Sequence, residues 1–231
     1  MAAKILHYAL LSIVVHLVSG CSDNKPVADK EKAETAAKQK MPAAAEDAKL
    51  VVAFGDSLYA GYQLKQGEGF APELERALAA RGVAARVHNA GVSGDTSMAG
   101  LQRLAFTLDG LDRKPDLVIV GLGANDMLRG LKPDETRANL DAILTELDRR
   151  KIKSMLTGML AAPNMGKDYA DAFNAIYPEL ARKHGIALYP FFLKNVLGDR
   201  ALMLEDGMHP NERGVDIIAG QVAPLVASGL K

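Results

Sequence analysis

The feature that most constrains this chain is a short apolar run that stops at a glycine and is followed at once by a serine. Residues 50–58 read LVVAFGDSL, in which five apolar residues precede Gly55, Asp56 and Ser57. A valine-rich run of this length is typical of a strand buried on both faces of a parallel sheet, although its length does not exclude a helix. Open α/β folds bind ligands beyond the carboxyl ends of their strands, so Ser57 is a candidate nucleophile. Gly-Asp-Ser is also an ordinary turn sequence, and this segment alone leaves both interpretations open.

From Lys49 onward the chain alternates predicted strands with predicted helices. After the first strand, further strands are predicted at 84–89, 116–122, 152–160 and 186–190. Helices are predicted at 70–80, 97–108, 133–150, 169–183 and 210–228, and loops at 90–96 and 123–126. This alternation requires parallel strands with right-handed crossovers and helices on both faces of one sheet. The predicted fold class is therefore α/β, in a single domain of about 180 residues.

The composition excludes several classes of function. The chain has 28 Lys plus Arg and 28 Asp plus Glu, so no net charge draws it to nucleic acid or to a membrane surface. Its only cysteine is Cys21, which rules out an internal disulfide and a metal site built on thiolates. The balanced charge therefore argues against a nucleic-acid partner. We also expect no metal and no cofactor.

The first 48 residues have the composition of a leader and a tether. Residues 1–20 carry one charged residue, Lys4, and an apolar stretch too short to span a membrane, which predicts a secretory signal peptide. The ending LVSGC at 17–21 resembles a bacterial lipobox, which implies cleavage before Cys21 and lipidation of that cysteine. An ordinary signal peptide or an uncleaved anchor is the alternative. Residues 21–48, rich in Ala, Lys and acidic residues, predict a flexible tether.

This leader implies a location in the bacterial cell envelope. We expect a lipid-anchored protein that faces the periplasm and contacts the membrane through Cys21. Ser22 occupies the position where the bacterial sorting pattern uses aspartate for inner-membrane retention, so the outer membrane is expected. The predicted domains are the signal peptide at 1–20, the lipidated cysteine with its tether at 21–48, and a folded domain at 49–231.

A serine nucleophile needs a base, and one of the five histidines is well placed to supply it. The other four lie in the leader, inside a predicted strand or at a helix end that suits a cation: His7, His16, His88 and His184. His209 follows Asp206 by three residues on the last predicted loop. A carboxylate at this spacing can bind one ring nitrogen and direct the other toward the serine. Asp-x-x-His is also a common loop or cap sequence. The assignment therefore depends mainly on the position of the pair, on the last loop, with the serine after the first strand.

Acyl transfer also needs hydrogen-bond donors for the developing oxyanion. Gly94 lies in the predicted loop 90–96, and its missing side chain lets the backbone approach a ligand. Asn125 follows the predicted strand 116–122 and can present a side-chain amide at the same sheet edge. A turn glycine and a helix cap are the respective alternatives.

Together these segments resemble the SGNH subgroup of GDSL hydrolases. Four sequence blocks occur in the family's order: GDSL at 55–58, GVSGDT at 91–96, GAND at 123–126 and DGMHP at 206–210. The resemblance covers essentially the whole folded part and implies a flavodoxin-like three-layer α/β/α sandwich. In that SGNH hydrolase fold the five-stranded parallel sheet has the order 2-1-3-4-5.

The same resemblance implies roles for particular residues. It implies a catalytic triad of Ser57, Asp206 and His209. It also implies an oxyanion hole formed by the backbone N–H groups of Ser57 and Gly94 and by the side-chain amide of Asn125. These roles extend the candidates identified above from the residues alone.

The sequence around the first two blocks is similar to that of small bacterial arylesterases, thioesterases and lysophospholipases. This likeness implies a serine esterase that hydrolyses small-molecule or lipid esters of short to medium acyl chains through an acyl-enzyme, with thioesters as further candidates. Three apolar residues after the GAND block are candidates for lining an acyl channel, with core packing as the alternative: Met127, Leu128 and Leu131. A carbohydrate or peptidoglycan O-acetyl esterase and a non-catalytic lipid-anchored binding protein are the remaining alternatives.

Overall fold

The computed structural model describes residues 48–231. The predicted signal peptide at 1–20 and the predicted tether, apart from its last residue Ala48, lie outside the described residues. Within the described part, no helix combines the length and the apolar character needed to cross a membrane.

The centre of the domain is one five-stranded parallel sheet with the order β2-β1-β3-β4-β5. Its strands are β1 (Lys49–Gly55), β2 (Ala85–Gly91), β3 (Leu117–Gly121), β4 (Ser154–Thr157) and β5 (Ala187–Tyr189). Gly55 pairs with both Gly91 and Gly121, so the three central strands end at the same level. The predicted class and strand order are confirmed, and the loops after β1, β2 and β3 leave one edge of the sheet together.

Eight helices surround the sheet in the described part of the chain. They are α1 (Ser57–Ala60), α2 (Phe70–Ala79), α3 (Ser97–Asp109), α4 (Ala124–Leu128), α5 (Pro133–Arg149), α6 (Lys167–Asn174), α7 (Ile176–His184) and α8 (Glu212–Gly229). Polar side chains cap several of them: Thr96 accepts a hydrogen bond from the Ala99 N–H, and Asn211 accepts two from the first turn of α8. A single 3₁₀ turn, Pro163–Met165, precedes α6.

Two predicted helices are wrong in outline. The predicted helix 169–183 is two helices, α6 and α7, which meet at Ala175. Pro178 explains the break, because it has no N–H for the carbonyl of Asn174 four residues earlier and its ring collides with that carbonyl. The last helix begins at Glu212 rather than at Pro210, since Asn211 is its cap and Pro210 pairs with Met203 across a short antiparallel bridge.

Three other segments also differ from expectation. The predicted loop 123–126 contains the start of α4 at Ala124. The predicted loop 90–96 is shorter, because pairing with β1 extends β2 as far as Gly91. The predicted strand 152–160 is ordered as a strand only over β4, where its neighbours β3 and β5 offer backbone partners.

Apolar side chains form two cores, one on each face of the sheet. Along β1, Val51 and Ala53 contribute to one core while Val52 and Phe54 contribute to the other, and all four are fully buried. Helices α2 and α8 cover the first face, and α3, α5 and α7 cover the second. Burial on both faces holds β1 rigidly and therefore fixes where the chain leaves the sheet after Gly55.

Candidate active site

Ser57 stands two residues beyond the end of β1, as the first residue of α1. The preceding Asp56 caps this short helix, because its carboxylate accepts a hydrogen bond of 3.0 Å from the backbone N–H of Leu58. Only glycine fits at position 55, since a Cβ there would lie 2.4 Å from the ring of Tyr59 and 2.7 Å from the carbonyl oxygen of Gly121. The tight turn from strand to helix presents the Ser57 hydroxyl at the carboxyl edge of the sheet.

The structure brings Ser57, His209 and Asp206 into one hydrogen-bonded line. The distance from His209 Nε2 to Ser57 Oγ is 2.8 Å, and that from His209 Nδ1 to Asp206 Oδ2 is 2.6 Å. Because a carboxylate only accepts hydrogen bonds, Nδ1 carries the ring proton and donates it to Asp206. Nε2 is then the acceptor for the Ser57 hydroxyl, which is the tautomer that a general base requires.

The loop that carries Asp206 and His209 orders both side chains. Asp206 Oδ1 accepts hydrogen bonds from the backbone N–H groups of Met208 and His209, at 2.9 and 3.0 Å. Partial burial raises the pKa of the Asp206 carboxyl, but these two bonds and the bond from the His209 ring outweigh burial and lower its pKa below the usual value. Asp206 is therefore ionised at neutral pH.

Gly94 and Asn125 follow β2 and β3, the two strands that pair with β1. Gly94 follows β2 in the left-handed backbone region, with φ of 86°, and is exposed to solvent. Asn125 lies in the first turn of α4, and its Nδ2 donates one hydrogen bond of 2.9 Å to the carbonyl oxygen of Asp95. Gly123, not Asn125, is the helix cap. The second N–H of the Asn125 amide remains for a ligand at this edge.

Two arginines, which the sequence did not indicate as functional, hold these loops in place through hydrogen bonds. Arg103 on α3 binds the Asp95 carboxylate at 2.6 Å and the Gly55 carbonyl at 2.9 Å, and its guanidinium lies 4.1 Å from the centroid of the Phe54 ring. Arg129 donates a hydrogen bond of 2.7 Å to the Gly94 carbonyl. A charged residue on the sheet-facing helix α3 is the signal that could have drawn attention to Arg103.

Two buried carboxyl groups, Asp56 and Asp126, are adjacent in sequence to Ser57 and Asn125. Asp126 accepts hydrogen bonds from the Ser97 N–H at 2.7 Å, from the Ser97 hydroxyl and from the Thr136 hydroxyl at 3.1 Å, so it joins the start of α3 to α4 and α5. Burial raises the pKa of the Asp56 carboxyl to about 7, despite the opposing hydrogen bond from Leu58. Asp56, directly beside Ser57, is therefore harder to ionise than a solvent-exposed carboxyl.

The three predicted acyl-channel residues have different environments. Met127 is 7% exposed and packs in the core on the α3 and α5 side of the sheet. Leu128 is 58% exposed and Leu131 is half-buried. The core-packing alternative therefore applies to Met127, and only the two leucines can contact a substrate.

Within residues 48–231 no group of three or more His, Cys, Asp or Glu side chains is arranged to hold a metal ion. The line from Asp206 to Ser57 consists of side chains alone, an arrangement that can serve proton transfer to His209 and nucleophilic attack by Ser57.

The chain is similar to known ester hydrolases. Residues 53–217 match the GDSL-like Lipase/Acylhydrolase family. The arylesterase of Vibrio mimicus is 37% identical over 183 residues, which cover 79% of this chain and 90% of that protein. Thioesterase 1/protease 1/lysophospholipase L1 of Escherichia coli (strain K12) is 37% identical over 188 residues, which cover 80% of this chain and 87% of that protein.

A solved structure shows the same likeness. The crystal structure of AlinE4, described as an SGNH-hydrolase family esterase, superposes with a TM-score of 0.69 at 49% sequence identity. The match covers 81% of this chain and 99% of AlinE4.

Proposed function

Because the chain belongs to the GDSL-like lipase/acylhydrolase family and is a serine ester hydrolase, we propose that Ser57, His209 and Asp206 form its catalytic triad. The observation that carries this assignment is the continuous line of hydrogen bonds from Asp206 through the His209 ring to the Ser57 hydroxyl. Nucleophile, base and orienting carboxylate each stand within hydrogen-bond distance of the next, as covalent catalysis by serine requires.

In the first half of the reaction Ser57 Oγ attacks the carbonyl carbon of the ester while its proton passes to His209 Nε2. Asp206 stabilises the resulting imidazolium and keeps the ring in place. When the tetrahedral intermediate collapses, the bond to the leaving alcohol breaks and His209 returns the proton to that alcohol. The products of this half are the free alcohol and an acyl-enzyme on Ser57.

The second half repeats these steps with water as the nucleophile. His209 accepts a proton from water, the hydroxide oxygen attacks the acyl carbon, and collapse of the second intermediate releases the carboxylic acid. The proton returns to Ser57 Oγ. One ester and one water are consumed for each acid and alcohol formed, and no cofactor takes part.

We assign the stabilisation of both oxyanions to the backbone N–H groups of Ser57 and Gly94 and to the free N–H of Asn125. The registered ends of β1, β2 and β3 support this assignment, because they bring the three loops to one edge. The bond from Arg129 to the Gly94 carbonyl and the bond from Asn125 to the Asp95 carbonyl hold these donors before substrate arrives. Donors that are already ordered need no reorganisation as charge develops.

The proposed substrates are esters with short to medium acyl chains, with aryl esters and thioesters among them. Support comes from the arylesterase and thioesterase relatives and from apolar side chains exposed around the site. Tyr62, Leu128 and Met208 are each between 39% and 58% exposed, and each is close in sequence to a residue of the proposed site. Apolar surface of this kind favours an acyl or aryl group over a polar one.

We further propose that Cys21 is lipidated and that the tether at 21–48 holds the domain on the periplasmic side of the bacterial outer membrane. The support is the lipobox-like ending at 17–21 and the position of the only cysteine within it.

The test measures hydrolysis of p-nitrophenyl esters from acetate to palmitate by the wild type and by Ser57→Ala. We expect the highest kcat/KM for short to medium chains and no turnover above background for Ser57→Ala. Labelling by a fluorophosphonate should occur in the wild type and disappear in the variant. Full activity of Ser57→Ala would refute the triad, whereas activity confined to acetyl esters would favour the O-acetyl esterase alternative.

A further inference from the structure

The edge of the sheet opposite Ser57 carries a cluster of lysines, which we call the lysine groove. It has a volume of about 340 Å³ and is lined by Lys49, Lys114, Lys151, Lys153 and Lys231, together with Pro115, Asp116 and Leu230. Six of these residues stand at the first residue of β1 or within the three positions before β3 and β4, and Leu230 and Lys231 follow α8. The groove therefore lies at the amino-terminal edge of the parallel strands.

The charge of the lysine groove is unbalanced. Asp116 is the one acidic side chain that lines it, against five lysine ammonium groups, and the α-carboxylate of the last residue, Lys231, offsets one more of them. The Asp116 carboxylate is already engaged by Lys49 at 3.3 Å, by Arg113 at 2.9 Å and by the Leu50 N–H at 2.8 Å. Among residues 48–231, no carboxylate side chain lies within ion-pair distance of Lys114, Lys151, Lys153 or Lys231. A chain with equal numbers of acidic and basic residues thus has a local excess of positive charge here.

Two of these ammonium groups are held in place by the backbone. Lys114 Nζ donates to the Lys151 carbonyl at 3.2 Å, and Lys153 Nζ donates to the Gly229 carbonyl at 3.1 Å. Each ammonium has three N–H donors, so two remain for an external anion. The groups are thereby ordered at the surface without being neutralised.

We propose that the lysine groove is a docking surface for the anionic headgroups of a phospholipid bilayer. The tether meets the folded domain at this groove, since its last residue, Ala48, precedes Lys49 and its carbonyl accepts a hydrogen bond of 2.6 Å from Arg113. The composition of residues 21–48 predicts a flexible segment, and a flexible chain of that length spans roughly 30 Å on average. A lipid on Cys21 therefore keeps the groove close to the membrane, where weak electrostatic contacts suffice.

The choice of a bilayer as the partner rests on the proposed lipid anchor at Cys21. Docking through the lysine groove would also determine which way the triad faces. Strand β1 runs from the lysine groove to Ser57, and its seven residues span about 23 Å. When the groove contacts the bilayer, the triad points away from that membrane. The enzyme then takes esters from the aqueous phase or from an opposing surface rather than from the membrane that holds its anchor.

The test uses the mature chain, residues 21–231 with Cys21→Ser, so that no lipid is attached. Its co-sedimentation is measured with vesicles of pure phosphatidylcholine and with vesicles that contain about 30 mol% phosphatidylglycerol. We expect binding to the anionic vesicles only, with loss of binding as salt is raised from about 50 mM to about 500 mM. Equal binding to both vesicle types, or binding that resists salt, overturns the proposal.

Double substitutions that reverse the charge of two lysines test whether the lysine groove is the surface that binds the vesicles. Lys114→Glu/Lys153→Glu should weaken anionic-vesicle binding at least about tenfold, because each basic residue near such a surface contributes roughly fivefold in affinity. The matched control, Lys132→Glu/Lys194→Glu, changes the net charge equally at exposed sites outside the groove and should bind as the wild type does. Equal loss in both variants overturns the proposal.

Hydrolysis of p-nitrophenyl acetate, retained in both variants, verifies their folding. If either variant does not fold, Lys114→Gln/Lys153→Gln and Lys132→Gln/Lys194→Gln replace the pair. Vesicle binding is measured without turnover, so a failure of this proposal is distinct from a failure of the assigned triad.

Discussion

The phenol ring of Tyr62 packs against the imidazole of His209, with 4.5 Å between the ring centroids and an angle of 35° between the ring planes. Tyr62 lies just after α1, the helix that begins with Ser57, so one short segment supplies both the proposed nucleophile and a contact to its base. Tyr62 is 39% exposed, and its hydroxyl accepts a hydrogen bond of 3.2 Å from the Gln63 side chain.

We predict that Tyr62→Ala lowers kcat about two- to fivefold, because an aromatic ring against the imidazolium contributes roughly 0.5–1 kcal/mol at an exposed site. Tyr62→Phe keeps the ring and should retain nearly all of the activity. Steady-state kinetics on p-nitrophenyl butyrate, with the melting temperature as a folding control, make the comparison. Equal losses in both variants would assign the effect to the hydroxyl instead.

A second prediction concerns Arg103, which connects the end of β1 to the loop after β2. Arg103→Lys keeps the charge but cannot bind the Asp95 carboxylate and the Gly55 carbonyl together. We expect kcat to fall about tenfold with little change in KM, since small misplacements of catalytic groups are costly. The matched control is Arg137→Lys, which alters an ion pair with Glu179 away from the site. A change in KM alone in Arg103→Lys would contradict a positioning role.

The third prediction tests the oxyanion donor on α4. Asn125→Ala should lower kcat by about 10²- to 10³-fold, the range found when one such donor is removed elsewhere. Asn174→Ala is the control, because Asn174 accepts a hydrogen bond of 2.8 Å from the Ala161 N–H outside the site and should affect stability rather than turnover. A loss below fivefold in Asn125→Ala would remove Asn125 from the oxyanion hole.

The fourth prediction concerns the pH dependence of stability through His184, whose ring nitrogens each lie 2.8 Å from a carboxylate, Asp141 or Asp148. Burial lowers the pKa of His184, but these two hydrogen bonds outweigh burial and raise its pKa above the usual value. The folded state therefore binds the proton more tightly than the unfolded state. This stabilisation is complete below the unfolded pKa and is lost as pH rises through the folded one.

Urea unfolding of the wild type and of His184→Gln at about pH 5 and about pH 9 tests this linkage. We expect the variant to be less stable by about 1 kcal/mol at the lower pH and nearly equal to the wild type at the higher pH. A difference of the same size at both values would mean that His184 contributes packing and not charge.

Much of the fold could be predicted because its signals are local. The apolar run at the start of β1 reads as a strand buried on both faces, and Val51 to Phe54 are buried in that way. Alternation of strands with amphipathic helices implied a parallel sheet, and the resemblance supplied the order that the structure confirms. Errors arose where a local signal was overlooked, as with the break imposed by Pro178, or where pairing with neighbouring strands set the ends of β4.

The candidate site also has residues that could be predicted from the sequence and residues that could not. Ser57, His209 and Asp206 could be identified because their chemistry depends on residue type, on the spacing of Asp206 and His209 and on the four blocks of the family. The contacts of Tyr62 with His209 and of Arg103 with Gly55 could not, because they join segments far apart in sequence. Met127 was wrongly included among the candidates for an acyl channel, because an apolar side chain suits a channel and a core equally well and the structure places it in the core.

By itself, the sequence determined the α/β class, the family and the residue types of the proposed triad, because backbone preferences and side-chain chemistry are properties of short segments. Only the tertiary structure decided which of these residues meet, since the strand register places the loops after β1, β2 and β3 at one edge. The lysine groove is likewise a product of the tertiary structure. The chain has zero formal net charge, yet positive charge is concentrated at the edge of the sheet opposite Ser57. Composition sums charges without regard to position, whereas folding brings together lysines from residue 49 to residue 231.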